Sequence, residues 1–180
     1  MSKAKYLFDA DSLIVPCRHH YSPDFCPAFW QWFRDGNTNS CFFLIDKVLD
    51  ELKKGNDDDF LRKFAEDNET KLSVVTKADL QCIQKYGEIQ QWAASVWAKG
   101  KKPNKTAKAL EKFADEKTAD PWIVACAVVH GYSIVTSEVS AMDSQTSVKL
   151  PDVAAAFGVK ILRLHEVLSS HSGANFTFKK

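Results

Sequence analysis

The most constraining feature of this chain is the way short apolar runs alternate with longer stretches of helical periodicity. Lys5-Tyr6-Leu7-Phe8, Leu72-Ser73-Val74-Val75, Ser133-Ile134-Val135-Thr136 and Val159-Lys160-Ile161-Leu162 are each too brief to build a helix. Segments that bury apolar residues three and four apart lie between them. Strands buried on both faces read as continuous apolar runs, and parallel strands need helical crossovers. The pattern therefore predicts an α/β fold with a short central parallel sheet flanked by helices.

The helical segments carry their own punctuation. Phe25, Phe29, Trp30, Trp32 and Phe33 form an aromatic cluster that reads as a short helix stopped by Asp35-Gly36-Asn37. Phe42, Ile45, Val48, Leu49 and Leu52 recur at helical spacing, which predicts a helix from Phe42 to Lys54 closed by Gly55. Asp57-Asp58-Asp59 opens a helix running to about Glu66, and another spans Asp79 to Trp97. Thr106 to Ala114 is a short helix. Asp120-Pro121 starts an apolar one that ends at His130-Gly131, and Pro151 starts one that ends near Gly158. A last helical turn covers His165 to Leu168. Residues 1–168 read as a single domain, and residues 169–180, rich in Ser, Gly and Asn, read as a frayed tail.

Charge excludes one class of behaviour. Lys and Arg number 24 and Asp and Glu 23, so no field spread over the whole surface would grip a polyanion. Affinity for nucleic acid must then come from local groups. Lys99, Lys101, Lys102, Lys105 and Lys108 form the main basic run, either a solvated linker or a phosphate-contacting rim, and Arg18 with His19-His20 follows the first strand. The five cysteines are odd in number and scattered, without the Cys-Cys spacing of a zinc site, which predicts a reducing, cytoplasmic setting. No apolar run approaches the ~20 residues of a membrane span. The aromatic cluster reads as core first, and as a base-stacking or protein-docking surface second.

Four acids stand at suggestive places. Asp9 closes the first strand, Glu51 lies beside an apolar helical stripe, Asp120 opens the apolar helix, and Glu138 follows the strand ending at Thr136. Each has a plain structural reading: Asp120 as an N-cap before proline, Glu51 as a solvated charge, Asp9 as a turn cap and Glu138 as a loop residue. Together they form a set of hard oxygen donors. Gathered without a counter-charge they would repel one another, and a divalent cation such as Mg2+ removes that repulsion.

These residues carry a resemblance. Tyr6-Leu7-Phe8-Asp9-Ala10-Asp11-Ser12-Leu13-Ile14 resembles the opening motif of PIN-domain ribonucleases. Lys47-Val48-Leu49-Asp50-Glu51-Leu52 is similar to their second motif. Thr118-Ala119-Asp120-Pro121-Trp122-Ile123-Val124-Ala125-Cys126-Ala127 resembles the third, and Ile134-Val135-Thr136-Ser137-Glu138 the fourth. The order and approximate spacing agree across nearly the whole chain. Tyr21 to Trp32 and Leu150-Pro151-Asp152-Val153 further resemble a PIN-like subgroup found in bacterial toxin–antitoxin settings.

The resemblance implies a PIN-like three-layer sandwich and a metal-dependent endoribonuclease. In it Asp9, Glu51, Asp120 and Glu138 would hold Mg2+ or Mn2+. Asp11, Thr136 and Ser137 would be supporting groups, and Arg18, Lys99, Lys101, Lys102 and Lys105 would contact RNA. It also implies a small antitoxin partner and a homodimer. The fourth position is commonly aspartate in the superfamily and is glutamate here. Two other readings stand beside this one. A PIN-like scaffold would bind RNA or a partner without catalysis. A haloacid-dehalogenase-type phosphatase would use Asp9-x-Asp11 as nucleophile and acid, but would leave Glu51 and Asp120 without a task.

Overall fold

The computed structural model describes residues 4–74, 79–97 and 105–180. Five strands form one sheet: β1 (Tyr6–Phe8), β2 (Phe42–Ile45), β3 (Ser73–Val74), β4 (Ser133–Val135) and β5 (Ile161–Leu162). Their order is β3-β2-β1-β4-β5 and every pairing is parallel. Tyr6 lies opposite both Phe42 and Ser133, and Phe8 lies opposite Val135. Chain order runs outward from β1 to one edge through β2 and β3, then to the other edge through β4 and β5. The direction of winding reverses between β1 and β4, and a crevice opens at their carboxyl ends.

Helices cover both faces of the sheet. They are α1 (Asp11–Val15), α2 (Pro27–Thr38), α3 (Asp46–Leu52), α4 (Phe60–Leu72), α5 (Leu80–Trp97), α6 (Ala107–Ala114), α7 (Ala119–His130), α8 (Leu150–Ala156) and α9 (Leu164–His171), with a π-helical turn at Pro16–His20 after α1. Adjacent strand residues point to opposite faces, so Phe42 and Phe43 separate the two layers. Phe42 meets Trp32 and Phe33 of α2 at ring distances of 4.8 and 5.8 Å. Phe43 stacks at 5.5 Å on Tyr132, just beyond α7. The α2 side is aromatic: Phe29, Trp30, Trp32 and Phe33 are all fully buried, so these four are core rather than a docking surface, whereas Phe25 precedes α2 and is exposed. The other side is α7, packed along α5. Among the described residues no helix is long and apolar enough to cross a membrane.

The structure departs from the sequence reading in four places. Phe42–Ile45 is a strand, and the helix begins only at Asp46. Four consecutive apolar residues satisfy either period, and pairing with β1 and β3 decides between them. Helix α2 runs through Asp35-Gly36-Asn37 to Thr38. Gly36 is there because a Cβ at that position would lie 1.9 Å from the Phe42 ring. Asp120 is not the cap of α7, since Thr118 occupies the cap position and Asp120 sits within the first turn.

The fourth departure is the C-terminal segment, which packs on the core rather than projecting from it. The Trp32 indole N–H donates to the His171 carbonyl at 2.9 Å, and the Phe178 ring lies 5.6 Å from Phe42. A short bridge joins Ser172 to Phe178. Two aromatic side chains spaced among polar residues anchor this stretch, whose average composition reads as tail.

Candidate active site

Asp9 is the first residue past β1, where its own N–H donates to Val135 of β4 at 2.9 Å. The sheet thereby delivers the carboxylate to the crevice. Asp9 is only 7% exposed. Its Oδ1 accepts the Ala10 N–H at 2.8 Å and its Oδ2 accepts the Thr136 hydroxyl at 2.8 Å. That hydroxyl in turn accepts the Glu138 N–H at 3.1 Å. Thr136, at the end of β4, therefore ties Asp9 to the loop carrying Glu138.

Asp9, Asp11, Glu51, Asp120 and Glu138 all line one cavity of about 480 Å3, so the four acids far apart in sequence do converge. Asp11 reaches it from the first turn of α1. Glu51, in the last turn of α3, reaches it beside the backbone N–H of Ala119 at the start of α7, which works against the upward shift of its carboxyl. Asp120 enters from the first turn of α7. Burial pushes the Asp9 carboxyl up to about 7, and the neighbouring Asp11 and Glu51 charges add to the shift. Burial also holds Asp120 well above the usual carboxylate range, with Asp9, Glu138 and Glu51 pushing the same way. Burial raises Glu51 as well, against the nearby Lys54. Acids made reluctant to ionise by burial and by one another are a donor set that suits a hard cation.

Glu138 differs from the other three. Its Oε1 pairs with Lys149 at 2.9 Å, and its Oε2 accepts the Leu150 N–H at 3.0 Å at the start of α8. Both oxygens are thus engaged within the protein, as those of Asp9 are, but among the described residues Glu138 is the one of the four acids that forms a lysine salt bridge. Among the described residues the acids of the cleft also do not bring three donor atoms within 4.8 Å of one another. The group that does so is Asp79, Cys82 and His130, elsewhere in the molecule.

The other sequence-derived positions scatter. Ser137 is exposed and lines a separate cavity with His20, Arg163 and His165. Arg18 is exposed on the turn after α1 and does not line the carboxylate cleft. Lys99, Lys101 and Lys102 lie outside the described residues. Lys105 is turned inward rather than to a rim. It is 2% exposed, donates to the backbone carbonyls of Met142 and Ser144, and lies 5.3 Å from the Trp97 ring. The cations at the cleft are instead Lys54, Lys112 and Lys117. No run of basic residues marks them in sequence, because they come from three separate elements and loops.

The chain matches a family model described as "Domain of unknown function (DUF4411)" over residues 6–176. It belongs to the DUF4411 family. No curated protein matches it in sequence. Among solved structures, this DUF4411 chain is similar to one in the DNA-bound VapBC structure from Salmonella typhimurium, with a TM-score of 0.52 and 14% identity, over 89% of this chain and 98% of that one. It is also similar to one in VapBC2 from Rickettsia felis bound to a DNA fragment from the promoter, with a TM-score of 0.50 and 12% identity, over 88% and 97%. At these identities the likeness is one of fold, and the DUF4411 chain has the PIN-like α/β fold that its motifs resemble.

Proposed function

We propose that this chain is a metal-dependent endoribonuclease that hydrolyses RNA phosphodiester bonds and serves as the toxin of a toxin–antitoxin pair. One observation carries the reading: Asp9, Glu51, Asp120 and Glu138 meet in a single cleft at the point where the sheet reverses its winding. An all-oxygen, acidic donor set suits Mg2+ or Mn2+ rather than a softer ion. Asp9, Glu51 and Asp120 would hold the ion. Glu138, fixed by Lys149 and Leu150, would support the set from its edge.

The chemistry a divalent ion supplies in such a site is activation of water and stabilisation of charge on the phosphate. The protein's own part is positioning. The Thr136 hydroxyl fixes Asp9, and Lys54, Lys112 and Lys117 hold the sugar–phosphate chain at the mouth. No Ser, Cys or His nucleophile is needed. The neighbours of like fold are VapBC complexes, which supports a small protein partner for this chain as well. Self-association is part of the same reading and is read by light scattering.

The test is cleavage of a labelled RNA by purified protein. We expect cleavage with Mg2+ or Mn2+, none in chelator, and a loss of at least about 100-fold in Asp9→Asn and Asp120→Asn whose circular dichroism matches the parent. Cleavage at the parental rate in both folded variants would sink the proposal. A second reading, a non-catalytic RNA-binding scaffold, is favoured by one feature: the Lys149 ammonium is already paired with Glu138. It predicts metal-independent RNA retention on a filter with no cleavage under any divalent ion. The toxin role predicts growth arrest on expression of the chain alone, relieved by co-expressing the product of a small adjacent gene.

A further inference from the structure

A second donor set lies at the opposite end of α7, and its chemistry differs from that of the cleft. Asp79 precedes α5, and its Oδ1 accepts the N–H groups of Gln81 at 2.9 Å and Cys82 at 3.2 Å. That cap aims the other oxygen, Oδ2, at His130 Nε2, 2.8 Å away. Cys82 Sγ lies 3.7 Å from the same Nε2 and 3.1 Å from Cys126 Sγ. Asp79, Cys82 and His130 each present one donor atom within 4.8 Å of the others. Asp79 and Cys82 stand three residues apart at the start of one helix. Cys126 and His130 stand four apart on another, so each pair shares a helical face.

The Cys82–His130 distance and the donor types point to a particular ion. Zinc bound to sulfur at about 2.3 Å and to imidazole at about 2.0–2.1 Å in a tetrahedron places S and N about 3.6 Å apart and two sulfurs about 3.8 Å apart. The Cys82–His130 separation is already there. The two sulfurs stand closer than that, and Cys126 lies outside the group whose donor atoms are all within 4.8 Å of one another, so its side chain must re-aim toward that group to complete the tetrahedron. Two thiols, an imidazole and one carboxylate form the mixed soft and borderline set that favours zinc over magnesium. Both cysteines are fully buried, while Asp79 and His130 reach solvent and leave an entry path. Ten residues of helix separate His130 from Asp120, about 15 Å, so the carboxylate cleft makes no use of this cluster.

We propose that Asp79, Cys82, Cys126 and His130 bind one Zn2+ that pins the C-terminal end of α7 to the start of α5. On binding, the two thiols release two protons to solvent and become thiolate ligands, while His130 binds as the neutral imidazole. The cross-link joins positions 51 residues apart in sequence and fastens the helix that carries Asp120 at its other end. The inference stands on its own geometry, whether or not the cleft cleaves RNA.

The experiment uses reduced, chelator-stripped full-length protein titrated with Co2+ as a spectroscopic stand-in. The expected result is about one equivalent bound with thiolate-to-cobalt charge-transfer absorption and the strong visible bands of four-coordinate cobalt, displaced by Zn2+ but not by Mg2+. Cys82→Ser and His130→Gln weaken binding at least about 100-fold, whereas Asp9→Asn leaves the charge-transfer band intact. His130 sits at the surface, so its variant retains the fold even if a buried-cysteine variant does not. Absence of the charge-transfer band in the parent, its survival in His130→Gln, or a Cys82–Cys126 disulfide that persists in the reduced protein overturns the proposal.

Discussion

Asp9 shows how one carboxylate links the site to stability. Burial and the neighbouring Asp11 and Glu51 raise its pKa in the fold to about 7, from an ordinary value of 3.8. The folded protein therefore holds a proton between roughly pH 4 and 7 that the unfolded chain releases. Stability from this group is fully present below pH 4 and is lost as pH rises through 7, by an amount of the order of 4 kcal/mol. Asp120 is shifted in the same direction and acts alike. In chelator, denaturation midpoints of the parent should fall from pH 5 to pH 8, and Asp9→Asn should flatten that slope and stand above the parent at pH 8. Adding Mg2+ at pH 8 should restore much of the parental loss, because a bound cation takes over from the proton. A parental midpoint that climbs from pH 5 to pH 8 in chelator would contradict this account. At this scale the four acids were legible in sequence, Asp9 and Glu138 following strands, Asp120 at a helix start and Glu51 beside an apolar helical stripe, all in the order of the motifs they resemble. The lysines that face them were not, since Lys54, Lys112 and Lys117 come together only through the fold.

Elements are where local pattern and tertiary packing compete. Helix α2 survives an internal Asp-Gly-Asn because Gly36 lets Phe42 of β2 press against the helix backbone. Gly36→Ala should thus destabilise the protein by about 1–3 kcal/mol, through overpacking. Gly87 in the middle of α5 makes the opposite comparison, since a Cβ there meets nothing within 4 Å. Gly87→Ala should stabilise by about 0.5–1 kcal/mol through helix propensity alone. Chemical denaturation of the pair gives both signs in one experiment, and equal effects would show that Gly36 is not set by packing. The same competition explains the misplaced helix start. Phe42 to Ile45 fits a helical stripe and an apolar strand equally well, and only the ladders to β1 and β3 favour the strand. The longer helices α5 and α7 were legible because Asp79, Gly131 and a sustained apolar period mark them. The donor set between those two helices was missed because attention to Cys-Cys spacing passes over Asp-x-x-Cys and Cys-x-x-x-His.

At the scale of the whole molecule, the two ends of the chain meet on the sheet. The Tyr6 hydroxyl of β1 lies 3.1 Å from His171 Nε2, and the Phe176 ring packs on Tyr21 and Phe29 at 5.4 and 5.8 Å. Phe176 adopts a φ of 56°, a left-handed conformation that is unfavourable for a bulky residue by about 1–3 kcal/mol and persists because those rings hold it. Phe178→Ala should lower stability by about 2 kcal/mol in denaturant titrations, whereas a frayed tail would register no change.

Charge is the other molecular property that reaches function. With a net charge of only +1, RNA affinity rests on the few lysines at the cleft mouth rather than on the surface at large. Each phosphate neutralised on single-stranded RNA contributes about 0.7 to the slope of log affinity against log salt. Replacing Lys54, Lys112 and Lys117 together by Gln should then reduce that slope by about 2 and weaken binding across sequences uniformly. Filter binding in chelator at several salt concentrations measures this without cleavage. An unchanged slope would place the RNA on another face, and the cleft would lose its role as the substrate mouth.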